Sequence, residues 1–195
     1  AVEAVGARAC DVSCDVRDPA AVAAAFDAVE EALGLPAVLV NNAAGNFPVP
    51  AEDMSPNAWR AVVDIVLNGT FLCSREFGRR HIAAGTPGSI VNVGAAYAWT
   101  GGPGFAHSAA AKAGVKNLTE TLAVEWAPYG IRVNGLVPGL FPHEDDTQAI
   151  RTYASGAERR RPLVVDGANW QRRAMLQPEF TPIREQLGKP PFTLD

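Results

Sequence analysis

Apolar runs alternate with amphipathic segments along this chain, the pattern of repeated strand–helix units that builds a parallel sheet. Arg8 to Val16 is expected to be a strand. Asp18-Pro19 then opens a helix, with Asp as N-cap and Pro in the first turn. Val22, Phe26, Val29 and Leu33 mark its buried face, and Gly34 ends it. Ala37 to Val40 reads as a short, continuously apolar strand, the pattern expected when both faces are covered. A polar loop containing Gly and Pro follows. Ser55-Pro56 starts a long helix running through Trp59, Val63, Leu67 and Phe71 toward Ile82. Ser89 to Val93 is the next strand, and His107 to Trp126 an alanine-rich helix ended near Gly130. Ile131 to Val137 is a strand stopped by Pro138-Gly139, and Leu163 to Val165 reads as a last one. The tail from Ala168 to Asp195 is polar and proline-bearing and is expected to wrap the surface. The fold class predicted is α/β, a doubly wound parallel sheet of Rossmann type, with residues 1–195 forming one domain.

Composition narrows the function. The chain has 195 residues, 48% hydrophobic and 19% charged, which fits a globular core rather than a disordered chain. A net charge of -4 gives no electrostatic case for nucleic acid. No apolar run reaches the roughly 18 residues of a membrane span, and no secretory leader is expected. Cys10, Cys14 and Cys73 lack CxxC spacing, and free thiols in a reducing cytoplasm are expected. No His/Cys/Asp group has metal-ligand spacing.

Two absences stand out. A dinucleotide-binding fold opens with strand, glycine-rich turn and helix, because the pyrophosphate needs backbone N–H groups at a helix N-terminus. No such turn occurs early in this sequence, so the fold is expected to be incomplete at its N-terminus. The interval from Gly139 to Leu163 is also too short for a loop, two helices and a turn, since one crossover alone usually takes a dozen or more residues.

The chemistry concentrates in a few segments. Asn41-Asn42-Ala43-Ala44-Gly45-Asn46-Phe47 follows a strand end, Tyr97 follows another, and Ser108-x-x-x-Lys112 opens a helix. With Cys14-Asp15-Val16-Arg17-Asp18-Pro19, Ser55 to Trp59 and Asp64 to Thr70, these segments resemble the short-chain dehydrogenase/reductase superfamily. The resemblance covers about Asp11 to Gly139 and again Leu163 to Phe192. Within the superfamily the nearest likeness is to the NADPH-dependent 2,4-dienoyl-CoA reductases. The usual tetrad is Asn, Ser, Tyr and Lys. Here the corresponding positions are Val66, Ala95, Ser108 and Lys112, so only the lysine is kept. An acid for carbonyl chemistry is missing from its usual place, while Asn46 and Tyr97 are present.

The resemblance implies specific roles. Asn46 and Tyr97 would donate hydrogen bonds to the thioester oxygen of an acyl-CoA substrate. Ser108 would hold Tyr97 or the ribose, and Lys112 would bind the nicotinamide ribose. Asp15 would touch the adenine. Asn41, Ala43 and Gly45 would let the backbone approach NADPH, and Pro138 and Gly139 would meet the nicotinamide amide. A homotetramer would form through helices 55–85 and 107–128. Plainer readings stand beside these: a strand-end carboxylate at Asp15, turn residues at Asn46 and Pro138-Gly139, a loop tyrosine, a helix-start hydroxyl at Ser108 and a solvated helix lysine. His107 is read as a helix-start histidine, and Arg159 to Arg161 as a solvated charge run. Trp99, Trp126 and Trp170 are candidates for an acyl pocket, with Trp99 nearest the site loop. Two other functions stay open: a reductase of a 3-oxoacyl thioester or small carbonyl, and a non-catalytic fragment or subunit.

Overall fold

A computed structural model describes residues 6–102 and 104–138. Three parallel strands, β1 (Val38–Asn41), β2 (Gly88–Val93) and β3 (Ile131–Leu136), lie side by side in that order. Leu39 pairs with Ile90 and Ile90 with Val133, so these three share one face of the sheet. The fold is α/β with a parallel sheet flanked by helices, of Rossmann-like class, as the sequence pattern predicts.

The helices begin where local chemistry directs. Asp18 caps α1 (Pro19–Leu33) by accepting the Ala20 N–H, and Gly34 ends it at a φ of 88°. Ser55 caps α2 (Pro56–Val63) through the Ala58 N–H at 3.1 Å. In both, proline occupies the first turn, where its missing N–H costs nothing. A π-helical turn (Asp64–Asn68) joins α2 to α3 (Gly69–Ala84). The short α4 (Tyr97–Thr100) precedes α5 (Ala106–Trp126).

The main core lies between the sheet and α3 and α5. Phe77, Leu122, Ala123 and Trp126 pack on Ile90, Ile131 and Val133. A second cluster, Val62, Val66, Ala111 and Val115, joins α2 and the π turn to α5. Close approach of the helices depends on glycine. A Cβ on Gly78 would lie 2.7 Å from the Trp126 ring, and one on Gly114 would lie 2.9 Å from Leu67. Helix α1 is tied down by Arg80 of α3, which bonds Asp27 at 2.6 Å, Glu30 at 2.7 Å and Glu76 at 2.8 Å while covering the Phe26 ring.

Several expectations need correction. Arg8 to Val16 forms no strand. A strand exists through its ladder of hydrogen bonds, and among the described residues none lies beside this segment. The long helix buries Val62, Val66, Thr70, Ser74 and Phe77, whereas Trp59 and Phe71 are 41% and 44% exposed. The apolar stripe read from the sequence is thus rotated from the buried one, and the π turn adds to the offset by widening the helix at Asp64–Asn68. Leu33 is likewise exposed at the end of α1. The strand at 37–40 is not covered on both faces, since Val38 and Val40 are more than half exposed. The described contacts of the sheet with helices fall on the face carrying Leu39, Ile90 and Val133. The expected strand at Leu163 to Val165, the 168–195 tail, Gly139, the 159–161 arginines and Trp170 lie outside the described residues.

Candidate active site

The carboxyl ends of the strands in an open α/β sheet are where ligands bind, and the polar residues gather there. Asn41 ends β1. Its Nδ2 donates to Ser74 Oγ at 2.9 Å and to Asn92 Oδ1 at 2.8 Å. Asn92 Nδ2 donates in turn to Thr119 Oγ1 at 2.9 Å, and Thr119 donates to the Val115 carbonyl. This relay crosses from α3 through two strands to α5, with Asn92 and Ser74 fully buried. Every member has a partner, so it fixes the spacing of the strand ends without leaving a buried polar group unmet. The side chain of Asn41 is committed to that relay, which leaves its backbone to face a ligand. Sequence reasoning missed the relay. The one signal was an asparagine inside the apolar run Ser89 to Val93.

Lys112 stands on α5 and reaches the end of β2, where Nζ donates to the Val93 carbonyl at 2.5 Å. It is 7% exposed, and burial pushes its ammonium below the ordinary lysine value. It is therefore not a solvated helix lysine. It borders a cleft lined also by Asn92, Gly94, Trp99, Thr119 and Val137. Gly94 donates its N–H to the Leu136 carbonyl at 2.7 Å, and a Cβ there would lie 3.0 Å from Val137. A buried cation beside two strand ends and a backbone stripped of side chain fit the ribose and nicotinamide end of a dinucleotide.

Ser108 precedes Lys112 by one helical turn on the same face. Its hydroxyl lies 3.0 Å from the hydroxyl of Tyr97. Tyr97 opens α4 rather than lying in an irregular loop, and its ring stacks on Phe105 at 5.9 Å. Gly101, at a φ of 67°, turns the chain so that Phe105 and Ser108 come back beneath Tyr97. Trp126, by contrast, belongs to the core, and Trp99 alone of the three candidate tryptophans lines the cleft among the described residues.

Asn46 is exposed in the loop after β1, with Ala43 exposed and Gly45 half-buried beside it. That loop is tied to the Tyr97 region in two ways. Val49 N–H donates to the Gly104 carbonyl at 2.9 Å, and the Phe47 ring meets the His107 ring edge-on at 4.8 Å. His107 starts α5, as expected, but it is wholly buried, which the sequence did not suggest. Asp15 is exposed and paired with Arg17 at 2.6 Å. Hydrogen bonds from Arg17 pull its carboxyl down to about 2. Pro138 is exposed just past β3. The structure thus brings Tyr97, Ser108 and Lys112 onto one side of α5, with Asn46 in a loop anchored next to them. Among the described residues there is no group of His, Cys, Asp and Glu able to hold a metal, and no helix is long and apolar enough to cross a membrane.

The parallel sheet, the Ser108–Lys112 helix and the cleft at the strand ends define a class: the chain belongs to the short-chain dehydrogenase/reductase family, a family of oxidoreductases. The family described as enoyl-(acyl carrier protein) reductase matches residues 1–169. Among particular relatives, a probable 2,4-dienoyl-CoA reductase, (2E)-enoyl-CoA-producing, of Bacillus subtilis is 52% identical over 132 residues, 66% of this chain and 52% of that protein. The peroxisomal 2,4-dienoyl-CoA reductase of Rattus norvegicus, (3E)-enoyl-CoA-producing, is 46% identical over 71% of this chain and 47% of its own length. A crystal structure of a short chain dehydrogenase from Bacillus anthracis superposes with a TM-score of 0.67 at 50% identity, covering 72% of this chain and 57% of that one. The chain spans about half the length of the curated relatives it matches.

Proposed function

We propose that the protein reduces 2,4-dienoyl-CoA thioesters with NADPH, in the breakdown of unsaturated fatty acids. The observation that carries this is the Tyr97–Ser108 contact. A phenol is absent from the usual position on α5 and is supplied instead from α4, hydrogen-bonded to the serine that replaced it. The likeness to dienoyl-CoA reductases supports the substrate class, and the family resemblance supports NADPH. NADPH would supply a hydride to the δ-carbon (C5) of the diene.

The chain's own residues manage the charge that results. The pair leaving the C4–C5 π bond moves along the diene to the thioester oxygen. Tyr97 Oη–H and Asn46 Nδ2–H would donate to that oxygen, because stabilising developing charge in a dry site is usually the largest catalytic term. Ser108 orients the phenol. Lys112 would bind the nicotinamide ribose and add positive charge nearby. Asp15, with the backbone at Asn41, Ala43, Gly45, Pro138 and Gly139, would complete the cofactor contacts. A proton taken up at the α-carbon, through water, gives the 3-enoyl thioester. A proton at the γ-carbon would give the 2-enoyl thioester, the product named for the Bacillus subtilis relative. Free thiols at Cys10, Cys14 and Cys73 support a reducing, cytoplasmic setting. The exposed Trp59 and Phe71 support burial of the α2–α3 face against another copy in a homotetramer.

The test is NADPH consumption by the full-length protein offered a 2,4-dienoyl-CoA and a 3-oxoacyl-CoA in parallel, with the product's double bond located. Turnover of the dienoyl substrate alone, lost in Tyr97→Phe, is the expected result. Turnover of the oxoacyl substrate alone, or of neither, refutes it.

A further inference from the structure

His107 is fully buried, and its two ring nitrogens are treated unequally. Nδ1 accepts the Ser108 N–H at 2.7 Å, one of the N–H groups a helix start leaves without an intrahelical partner. That bond puts the ring proton on Nε2. A ring nitrogen that accepts an N–H belongs to a neutral imidazole, and burial pushes the titration of His107 in the same direction, below the ordinary histidine range. Nε2 then carries a buried N–H with no acceptor among the described residues. Leaving a buried donor unmet is costly, so its persistence in the fold calls for an acceptor in some state of the protein.

The neighbour of this donor is the loop after β1. Phe47 meets the His107 ring at 4.8 Å, and the residue before Phe47 is Asn46. The Asn46 amide, exposed, has no hydrogen bond among the described residues. A buried donor without an acceptor thus lies beside an amide without an anchor. Building on the reading of Asn46 as a thioester donor, we propose that His107 is a positioning residue for Asn46: in the substrate complex, His107 Nε2–H donates to Asn46 Oδ1. An asparagine whose oxygen is held in this way can present only its Nδ2–H groups to the ligand. The histidine therefore fixes which end of the amide meets the thioester oxygen, and does so from beneath the loop without touching substrate. The same residue joins both halves of the donor pair, since its Nδ1 holds the backbone of Ser108, whose hydroxyl holds Tyr97.

The test combines ring spectroscopy with kinetics on the full-length protein. Long-range 15N–1H correlation should show the Nε2–H form of His107. Its proton should move downfield when NADP and crotonyl-CoA, a thioester probe, are bound, and should stay in place in Asn46→Ala. His107→Phe should lower kcat by about tenfold to hundredfold, the cost of a misplaced catalytic group, with KM little changed. His107→Gln, whose amide nitrogen can occupy the Nε2 position, should recover most of the rate. In an Asn46→Ala background, His107→Phe should cost nothing further. A proton that stays in place while crotonyl-CoA demonstrably binds overturns the proposal, as do additive kinetic losses or a folded His107→Phe variant of full activity. A wild-type protein that binds the thioester but turns over no dienoyl substrate refutes the reductase reading while the spectroscopic arm still judges His107. One that binds no thioester overturns both.

Discussion

The hydroxyl of Tyr97 and the hydroxyl of Ser108 lie 3.0 Å apart, joining a four-residue helix to the long helix that carries Lys112. Only one of the two oxygens donates to the other. If Ser108 donates, the phenol proton is free to face a ligand oxygen. Under the proposed function Ser108 is the donor and orienting group, and Tyr97 is the group that meets the substrate.

Unequal losses follow from that division. Tyr97→Phe should lower kcat by about 10²–10³, the effect of removing one donor to a developing oxyanion, while NADPH affinity holds. Ser108→Ala should cost less, about tenfold, because the phenol remains and loses only its fixed orientation. Steady-state kinetics with a 2,4-dienoyl-CoA, beside direct NADPH titration, reads both. Equal losses in the two variants would contradict the division.

Helix α3 can approach α5 only because position 78 has no side chain. By helix propensity alone, Gly78→Ala should stabilise by up to about 1 kcal/mol. The new Cβ would fall 2.7 Å from the ring of Trp126, a stiff side chain in the main core. Overpacking of this kind costs about 1–3 kcal/mol and should win. Urea unfolding should show a lower midpoint for Gly78→Ala, and an unchanged or raised midpoint would mean that the helices part easily.

Acid should loosen the chain from its carboxylates. Hydrogen bonds from Arg17 hold Asp15 at about 2, below its ordinary 3.8, and bonds from Arg79 and then Arg80 hold Glu76 below its ordinary 4.5. A carboxyl depressed in the folded state contributes stability above its unfolded value and loses it as pH falls through the folded value. The contribution of Asp15 is thus complete above about pH 4 and fades toward pH 2. Melting temperature should fall across this window. The fall should be shallower in Glu76→Gln, although that variant starts lower at neutral pH because it weakens the Arg80 tie to α1.

The thiols should separate by reactivity. Cys73 is pushed up to about 11, by burial first and then by the nearby Cys14, and the Cys14 thiol is also raised, chiefly by burial. The thiolate is the reacting form. At pH 8, iodoacetamide should therefore modify exposed Cys10 first and Cys73 last, with the order read by peptide mass spectrometry. Early loss of Cys73 would mean that α3 opens readily at that position.

Sequence alone determined the order of the longer helices and strands from Asp18 to Leu136, because those signals are local. A cap, a proline in the first turn or a glycine past the last turn each acts within a few residues. Asp18, Ser55, Gly34 and Gly130 mark boundaries that the structure keeps. The spacing of Ser108 and Lys112 on one helical face was legible for the same reason, since it follows from the helix period. Tertiary structure decided the rest, because burial and strand pairing depend on what lies alongside. Arg8 to Val16 has the composition of a strand and, among the described residues, no neighbour to pair with. Trp59 and Phe71 have the composition of core residues and face outward, while the helix turns Val62 and Val66 inward. Lys112 could be called buried, Asn41 recognised as part of a relay, and His107 found with an unmet donor only once α5 was packed against the strand ends and the loop after β1. Those properties arise from contacts between residues 33, 51 and 60 positions apart or thereabouts, as in Asn41 with Ser74 and Asn92 and Phe47 with His107, and no local pattern encodes them.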